Sequence, residues 1–180
     1  SLVAVPLYID IALMFYRDDL LRKFSDYPEL KKQLDESITW EKFIELSKRF
    51  KINTNPFYIF QADDYEGLIC SFTELMANQN NPVVDANGNL KLDTPEGKKS
   101  LQLLVDLVNK YNASPKSVTY LKENESYNLF AKDNGVFIRS WPSMIDNDNE
   151  FMNDEIKSNL RMAPMPHFMG SKPGSVYGGW

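Results

Sequence analysis

The alternation of strand-like and helix-like segments constrains this chain more than any other feature. Residues 57–61 form a run of mainly aromatic and β-branched side chains, the kind that packs well on a pleated, half-buried surface and reads as a strand. Directly after it, Asp63 and Asp64 stand where they can cap a helix whose apolar positions Tyr65, Leu68, Ile69, Phe72, Leu75 and Met76 recur at helical spacing. The pattern repeats along the chain. Strands are expected at residues 2–5, 12–16, 136–141 and 160–165. Helices are expected from a cap at Asp18 or Asp19 through Phe24, from Thr39 with Trp40, Phe43, Ile44, Ser47 and Phe50 on one face, and over residues 124–132. Thr94 followed by Pro95 opens a further helix, with Leu101, Leu104, Val105, Val108 and Tyr111 as its expected buried stripe. Strands alternating with helices predict an α/β domain with a central mixed sheet covered on its faces by helices. Nothing in the sequence reads as a linker, repeat or low-complexity tract, so residues 1–180 are expected to form one domain.

Between the helix that follows Asp63-Asp64 and the one that Thr94 opens, Val83-Val84 and residues 90–92 flank Asp85-Ala86-Asn87-Gly88-Asn89, which reads as a hairpin because Asn-Gly tolerates the positive φ of a tight turn. Asp85, Asn87, Asn89, Asp93 and Glu96 also fall at calcium-loop positions, but Leu90 occupies the place where such a loop needs glycine, so no metal site is expected.

Composition removes several function classes. A formal charge of −5 and the absence of a basic stripe argue against a nucleic-acid partner. No apolar run approaches the ~18 residues of a membrane span. The single Cys70 allows neither an intrachain disulfide nor a cysteine zinc site, and His167 lies in a Pro-His-Phe segment with no serine or cysteine motif around it. There is no glycine-rich dinucleotide or phosphate loop, so no cofactor is expected. Both ends look cut across strands, from which we expect a piece of a larger protein.

What remains is a set of aromatic, acidic and glycine residues. Trp141 ends a strand that Pro142 breaks off, and in open α/β sheets ligands sit in the crevice beyond strand ends; a rim core tryptophan is the competing reading. Gly178-Gly179-Trp180 reads as a turn or as a close backbone approach. Tyr65 and Glu66 stand at a helix start. Tyr8 and Asp10 alternate on one face if residues 6–10 are extended. A carboxylate accepting hydroxyl hydrogen bonds beside an aromatic ring that takes an apolar C–H face is sugar-binding chemistry.

The words VPLYIDIALMFYRDDLL, TWEKFIELSKRF, FQADDYEGLICSFTELM, LDTPEGKKSLQLLVDLV, NLFAKDNGVFIRSWP, MAPMP and GGW occur in this order over nearly the whole chain. In that order they resemble the family 1 extracellular solute-binding proteins of ABC sugar importers, the maltose- and trehalose-binding group. The resemblance implies a type II periplasmic-binding-protein-like fold, with this chain as the C-terminal lobe of a two-lobed receptor whose N-terminal lobe is absent. It implies an oligosaccharide ligand held by Tyr8, Asp10, Tyr65, Glu66, Trp141, Gly178, Gly179 and Trp180, no catalysis, ABC permease partners, and a periplasmic or cell-surface location. SWP stands where many relatives have Asn-Trp-Pro, and Ala62-Asp63 where a glycine-bearing loop is usual, which bears on the sugar more than on the class. The competing reading is a glycoside hydrolase with Asp10 and Glu66 as its paired carboxylates. A lobe cut from its partner is also expected to expose an apolar face and to self-associate.

Overall fold

The computed structural model describes residues 7–146 and 152–179. In chain order, β1 (Ile9–Ile11) and β2 (Leu13–Arg17) lead into α1 (Asp18–Leu21), α2 (Tyr27–Asp35) and α3 (Trp40–Ser47). β3 (Tyr58–Ile59) precedes α4 (Glu66–Ala77) and α5 (Pro95–Asn109), then a 3-10 turn at Lys116–Tyr120 and α6 (Glu123–Lys132). β4 (Phe137–Ser140) runs into a second 3-10 turn, Pro142–Asp146, followed by α7 (Asp154–Asn159), β5 (Leu160–Ala163) and β6 (Tyr177–Gly179). The strands of the main sheet lie in the order β3-β4-β2-β5, parallel between β3 and β4 and antiparallel elsewhere, which is the expected mixed sheet. β1 and β6 pair antiparallel as a separate ribbon. The strand expected at residues 2–5 lies outside the described residues.

Strand parity assigns the layers. The registers put Tyr58, Phe137, Tyr16, Arg139 and Met14 on one face, and Ile59, Ile138, Phe15 and Ser140 on the other. On the first face lies α3, whose Phe43 ring is 5.3 Å from Tyr58 and 4.9 Å from Phe137. The same face receives α4, where Glu74 pairs with Arg139. α6 covers the second face, its Tyr127 hydroxyl accepting a hydrogen bond from Ser140. All four residues of β4 are therefore buried, as a strand sandwiched between helical layers requires.

Several local expectations change under packing. Thr39 and Thr94 cap their helices as expected, accepting from the backbone N–H of Lys42 and Gly97. Asp18 and Asp19 do not: α1 is capped by Arg17 without a side-chain bond and ends at Leu21. The carboxylate of Asp18 is buried against the Tyr27 hydroxyl and the Arg22 guanidinium, while Asp19 takes the fork of Arg17 at 2.7 and 2.8 Å. Asp63 and Asp64 do not cap α4 either, since Asp63 accepts from the neighbouring Asp64 N–H and Tyr65 occupies the cap position in extended backbone. The hairpin contracts to a single bridge, Val84↔Leu90, and the Asp85 carboxylate is occupied by the N–H groups of Asn87 and Asn89. α2 fills what reads as a polar stretch, because only Leu30 and Leu34 of its nine residues are buried.

The stripe on α5 is rotated. Leu101 and Val105 are 57% and 45% exposed, while Gly97, Ser100, Leu103, Leu104, Leu107 and Val108 face inward. Small residues admit the neighbour: Gln79 of the α4 C-terminal end reaches Ser100 at 2.9 Å, and a Cβ at Gly97 would stand 2.1 Å from the Leu92 carbonyl oxygen. Ile69 on α4 is likewise exposed, because the inward face of that helix is drawn toward the buried Glu74.

Candidate functional site

A cavity of about 360 Å³ is lined by Tyr8, Asp10, Glu66, Gly67, Cys70, Glu123, Trp141 and Gly178. Trp141, Glu66, Gly67 and Glu123 come from element ends. β3 and β4 run parallel, so their carboxyl ends open on one edge, and Trp141 is the first residue past β4. Glu66 and Gly67 open α4, with Cys70 one turn on, and Glu123 opens α6. Helix N-termini carry partial positive charge that favours carboxylates there. The β1–β6 ribbon closes the remaining side, with Asp10 opposite Gly178. This is the crevice at strand ends where α/β sheets hold ligands.

Five of the expected residues, Tyr8, Asp10, Glu66, Trp141 and Gly178, thus meet at one cavity. Tyr65 stands behind it. Its ring folds back over Gly67, where a Cβ would lie 2.2 Å from the tyrosine oxygen, so glycine is required for that ring position. The buried hydroxyl makes no hydrogen bond of acceptable geometry, and burial together with the nearby Glu123 carboxylate raises the phenol pKa. Gly178 and Gly179 lie in a strand rather than a turn, and no atom stands within 4 Å of a Cβ built on Gly178. That glycine leaves space rather than relieving a clash. Trp180 lies outside the described residues.

Trp141 is half-buried, and the Arg139 guanidinium lies 4.4 Å from its ring centroid. Arg139 is 0% exposed. It donates to Glu74 at 2.8 Å and to the Gln61 side-chain oxygen at 3.4 Å, while Gln61 Nε2 donates back to the Arg139 carbonyl at 3.1 Å. Burial pushes the Glu74 carboxyl pKa up against the opposing pull of Arg139. The Cys70 thiol pKa is raised, again chiefly by burial. His167 is remote in role, its Nδ1 standing 2.8 Å from Ser37 Oγ in a loop contact. Among the described residues no group of three or more His, Cys, Asp or Glu side chains could hold a metal ion.

Sequence reasoning missed Gly67, Cys70, Glu123 and Arg139. Gly67 and Cys70 were within reach, since residues 66, 67 and 70 share one face of a helix whose start was singled out. Glu123 stands one residue ahead of the expected helix start. Arg139 left no signal beyond being a charge inside a strand.

The mixed sheet between helical layers, with an acidic and aromatic crevice at its strand ends, has the type II periplasmic-binding-protein-like fold of the solved structures it matches. The profile of the bacterial extracellular solute-binding protein family matches residues 2–180, and the chain belongs to that family. It is 30% identical over its whole length to a Deinococcus radiodurans protein named "Probable ABC transporter-binding protein", covering 42% of it. It is 22% identical over 77% of its length to an arabinooligosaccharide-binding protein of Halalkalibacterium halodurans, covering 29% of that protein. Among solved structures, it matches maltose-bound MalE3 of T. maritima with a TM-score of 0.83 and 32% identity, over 99% of this chain and 44% of that one. A Thermotoga lettingae ABC transporter solute-binding protein bound with α-D-tagatose matches in fold, with a TM-score of 0.80 and 23% identity over 98% of this chain and 43% of that one. The chain therefore spans less than half the length of these relatives.

Proposed function

We propose that this chain is the C-terminal lobe of a two-lobed extracytoplasmic receptor that captures a sugar, most naturally an oligosaccharide, and delivers it to an ABC permease. One observation carries the reading: Trp141 and Tyr8 share a cavity with the carboxylates of Asp10 and Glu66. Carboxylates accept the hydroxyl protons of a sugar while ring faces take its C–H face. Tyr8, Asp10, Glu66, Trp141, Gly178, Gly179 and Trp180 are the proposed contacts, with Tyr65 supporting the floor. The maltose bound to the 32% identical relative and the name of the arabinooligosaccharide-binding relative support a sugar ligand. The lobe itself is proposed to be non-catalytic, closing on its partner lobe like a hinge.

A single lobe should bind weakly. A receptor of roughly micromolar affinity holds its ligand with about 8 kcal/mol, net of one shared cost of immobilising the sugar. Removing half the contacts leaves most of that cost in place, so the isolated chain should bind at roughly millimolar or weaker. Titration of the isolated chain and of the full-length protein with maltose and related oligosaccharides, followed by tryptophan fluorescence, tests this. Saturation of the full-length protein at far lower sugar is expected; tight stoichiometric binding by the isolated chain would overturn the two-lobe mechanism, and no binding by either would overturn the sugar reading.

A further inference from the structure

A charged side chain that never reaches solvent shapes the cavity from below. Arg139 and Trp141 are two residues apart, and successive side chains alternate across a strand, so both leave the β4 end toward the same face. There the guanidinium lies 4.4 Å from the indole centroid, within cation–π range. The arginine cannot drift. Glu74 holds its Nε and one terminal nitrogen at 3.2 and 2.8 Å, and Gln61 meets the other terminal nitrogen at 3.4 Å. Gln61 also grips the Arg139 carbonyl at 3.1 Å, so side chain and backbone are fixed from one residue.

A buried ion pair is weak evidence for stability, since apolar replacements are often as good. Its cost needs a reason. We propose that Arg139 is a positioning residue of the ligand site, a fixed cationic platform that holds the Trp141 ring in one orientation at the cavity. The proposal rests on the reading of Trp141 as a sugar contact. One ring face lies on the guanidinium, which leaves the rest of the indole to the cavity it lines. A ring held in place loses less rotamer freedom when a sugar packs on it. The platform also explains why arginine rather than lysine is needed, because a guanidinium offers three nitrogens that meet Glu74 and Gln61 at once while its carbon lies over the indole.

The test replaces the ion pair by a neutral amide pair, Glu74→Gln with Arg139→Gln, so that no unpaired charge is buried, and compares it with Arg139→Lys and Trp141→Ala in the full-length protein. Maltose affinity is read by calorimetry. Fluorine NMR of 5-fluorotryptophan-labelled protein, with Trp141→Phe to assign the resonance, reads the ring itself. The amide pair should weaken maltose binding about three- to tenfold, the scale set by ordering one side chain on binding. It should also shift and broaden the Trp141 resonance. Arg139→Lys should give the same direction of change. If Trp141→Ala abolishes binding but the amide pair, folded by circular dichroism, binds as wild type with an unmoved Trp141 resonance, the positioning role is wrong. If Trp141→Ala itself leaves maltose binding intact, the sugar-contact reading fails first and the positioning role falls with it. Should the amide pair not fold, Arg139→Lys alone decides by the same two readouts.

Discussion

Replacing Gly67 by alanine sets two effects of opposite sign against each other. In a helix, glycine to alanine is ordinarily stabilising by about 0.5–1 kcal/mol, because the unfolded chain loses freedom. Gly67 has no positive φ that would forbid alanine, so backbone strain plays no part. Packing opposes the gain: the new methyl would stand 2.2 Å from the Tyr65 hydroxyl oxygen and 2.4 and 2.8 Å from two carbons of its ring. The ring must leave its seat, at the usual overpacking cost of about 1–3 kcal/mol. Subtracting the helix gain, which is near its lower end in a first turn, leaves a net destabilisation of about 0.5–2.5 kcal/mol. For a chain of this size that corresponds to roughly 1–10 °C in Tm. Urea unfolding followed by circular dichroism measures it, and a Tyr65→Ala background separates the two effects. Without the ring, Gly67→Ala should turn stabilising by about 0.5 kcal/mol, giving a coupling of about 1–3 kcal/mol between residues 65 and 67. Equal effects in both backgrounds would show that the ring does not rest on this glycine.

Other consequences are as direct. Leu101→Gln with Val105→Gln should change unfolding free energy by no more than about 0.5 kcal/mol, since both side chains are exposed; a loss of 2 kcal/mol or more per site would return them to the core. Hydrogen bonding from Arg17 lowers the Asp19 pKa, so this interaction stabilises the fold above the unfolded value near 3.8 and is lost as pH falls through the lower folded value. Asp19→Asn should accordingly cost about 1 kcal/mol at neutral pH and flatten acid unfolding, as read by urea midpoints between pH 2 and 6. The raised thiol pKa and half-burial of Cys70 predict slow maleimide labelling at pH 7, further slowed by bound sugar in the full-length protein; labelling indifferent to sugar would remove Cys70 from the ligand's surroundings. A chromogenic glycoside should remain uncleaved, and sedimentation should show association of the isolated chain at high concentration, through exposed apolar side chains such as Leu7, Ile11 and Tyr177.

What the sequence determined by itself is what its local rules reach. Thr39 and Thr94 name their helix starts because a cap bonds a backbone N–H three residues on. The alternation of periods two and 3.6 dictated an α/β layering, and the break at Trp141-Pro142 marked a strand end beside which a cavity opens. Only the tertiary structure decided which face of each helix turns inward. Leu101 and Val105 fit a stripe as well as Leu103 and Leu107 do, and the inward face is the one that carries Gly97, which admits the Leu92 carbonyl, and Ser100, which meets Gln79 from the end of α4. The acidic residues obey the same rule. Asp18, Asp63 and Glu74 look alike in sequence, yet one is buried against Tyr27 and Arg22, one bonds its own neighbour, and one is sealed against Arg139. A cap is a contact within one turn of chain, whereas Glu74 and Arg139 lie 65 residues apart. A buried charge survives only where a partner neutralises it, and the partner of Glu74 lies on another element, so the platform under Trp141 becomes visible only after β4 and α4 have packed.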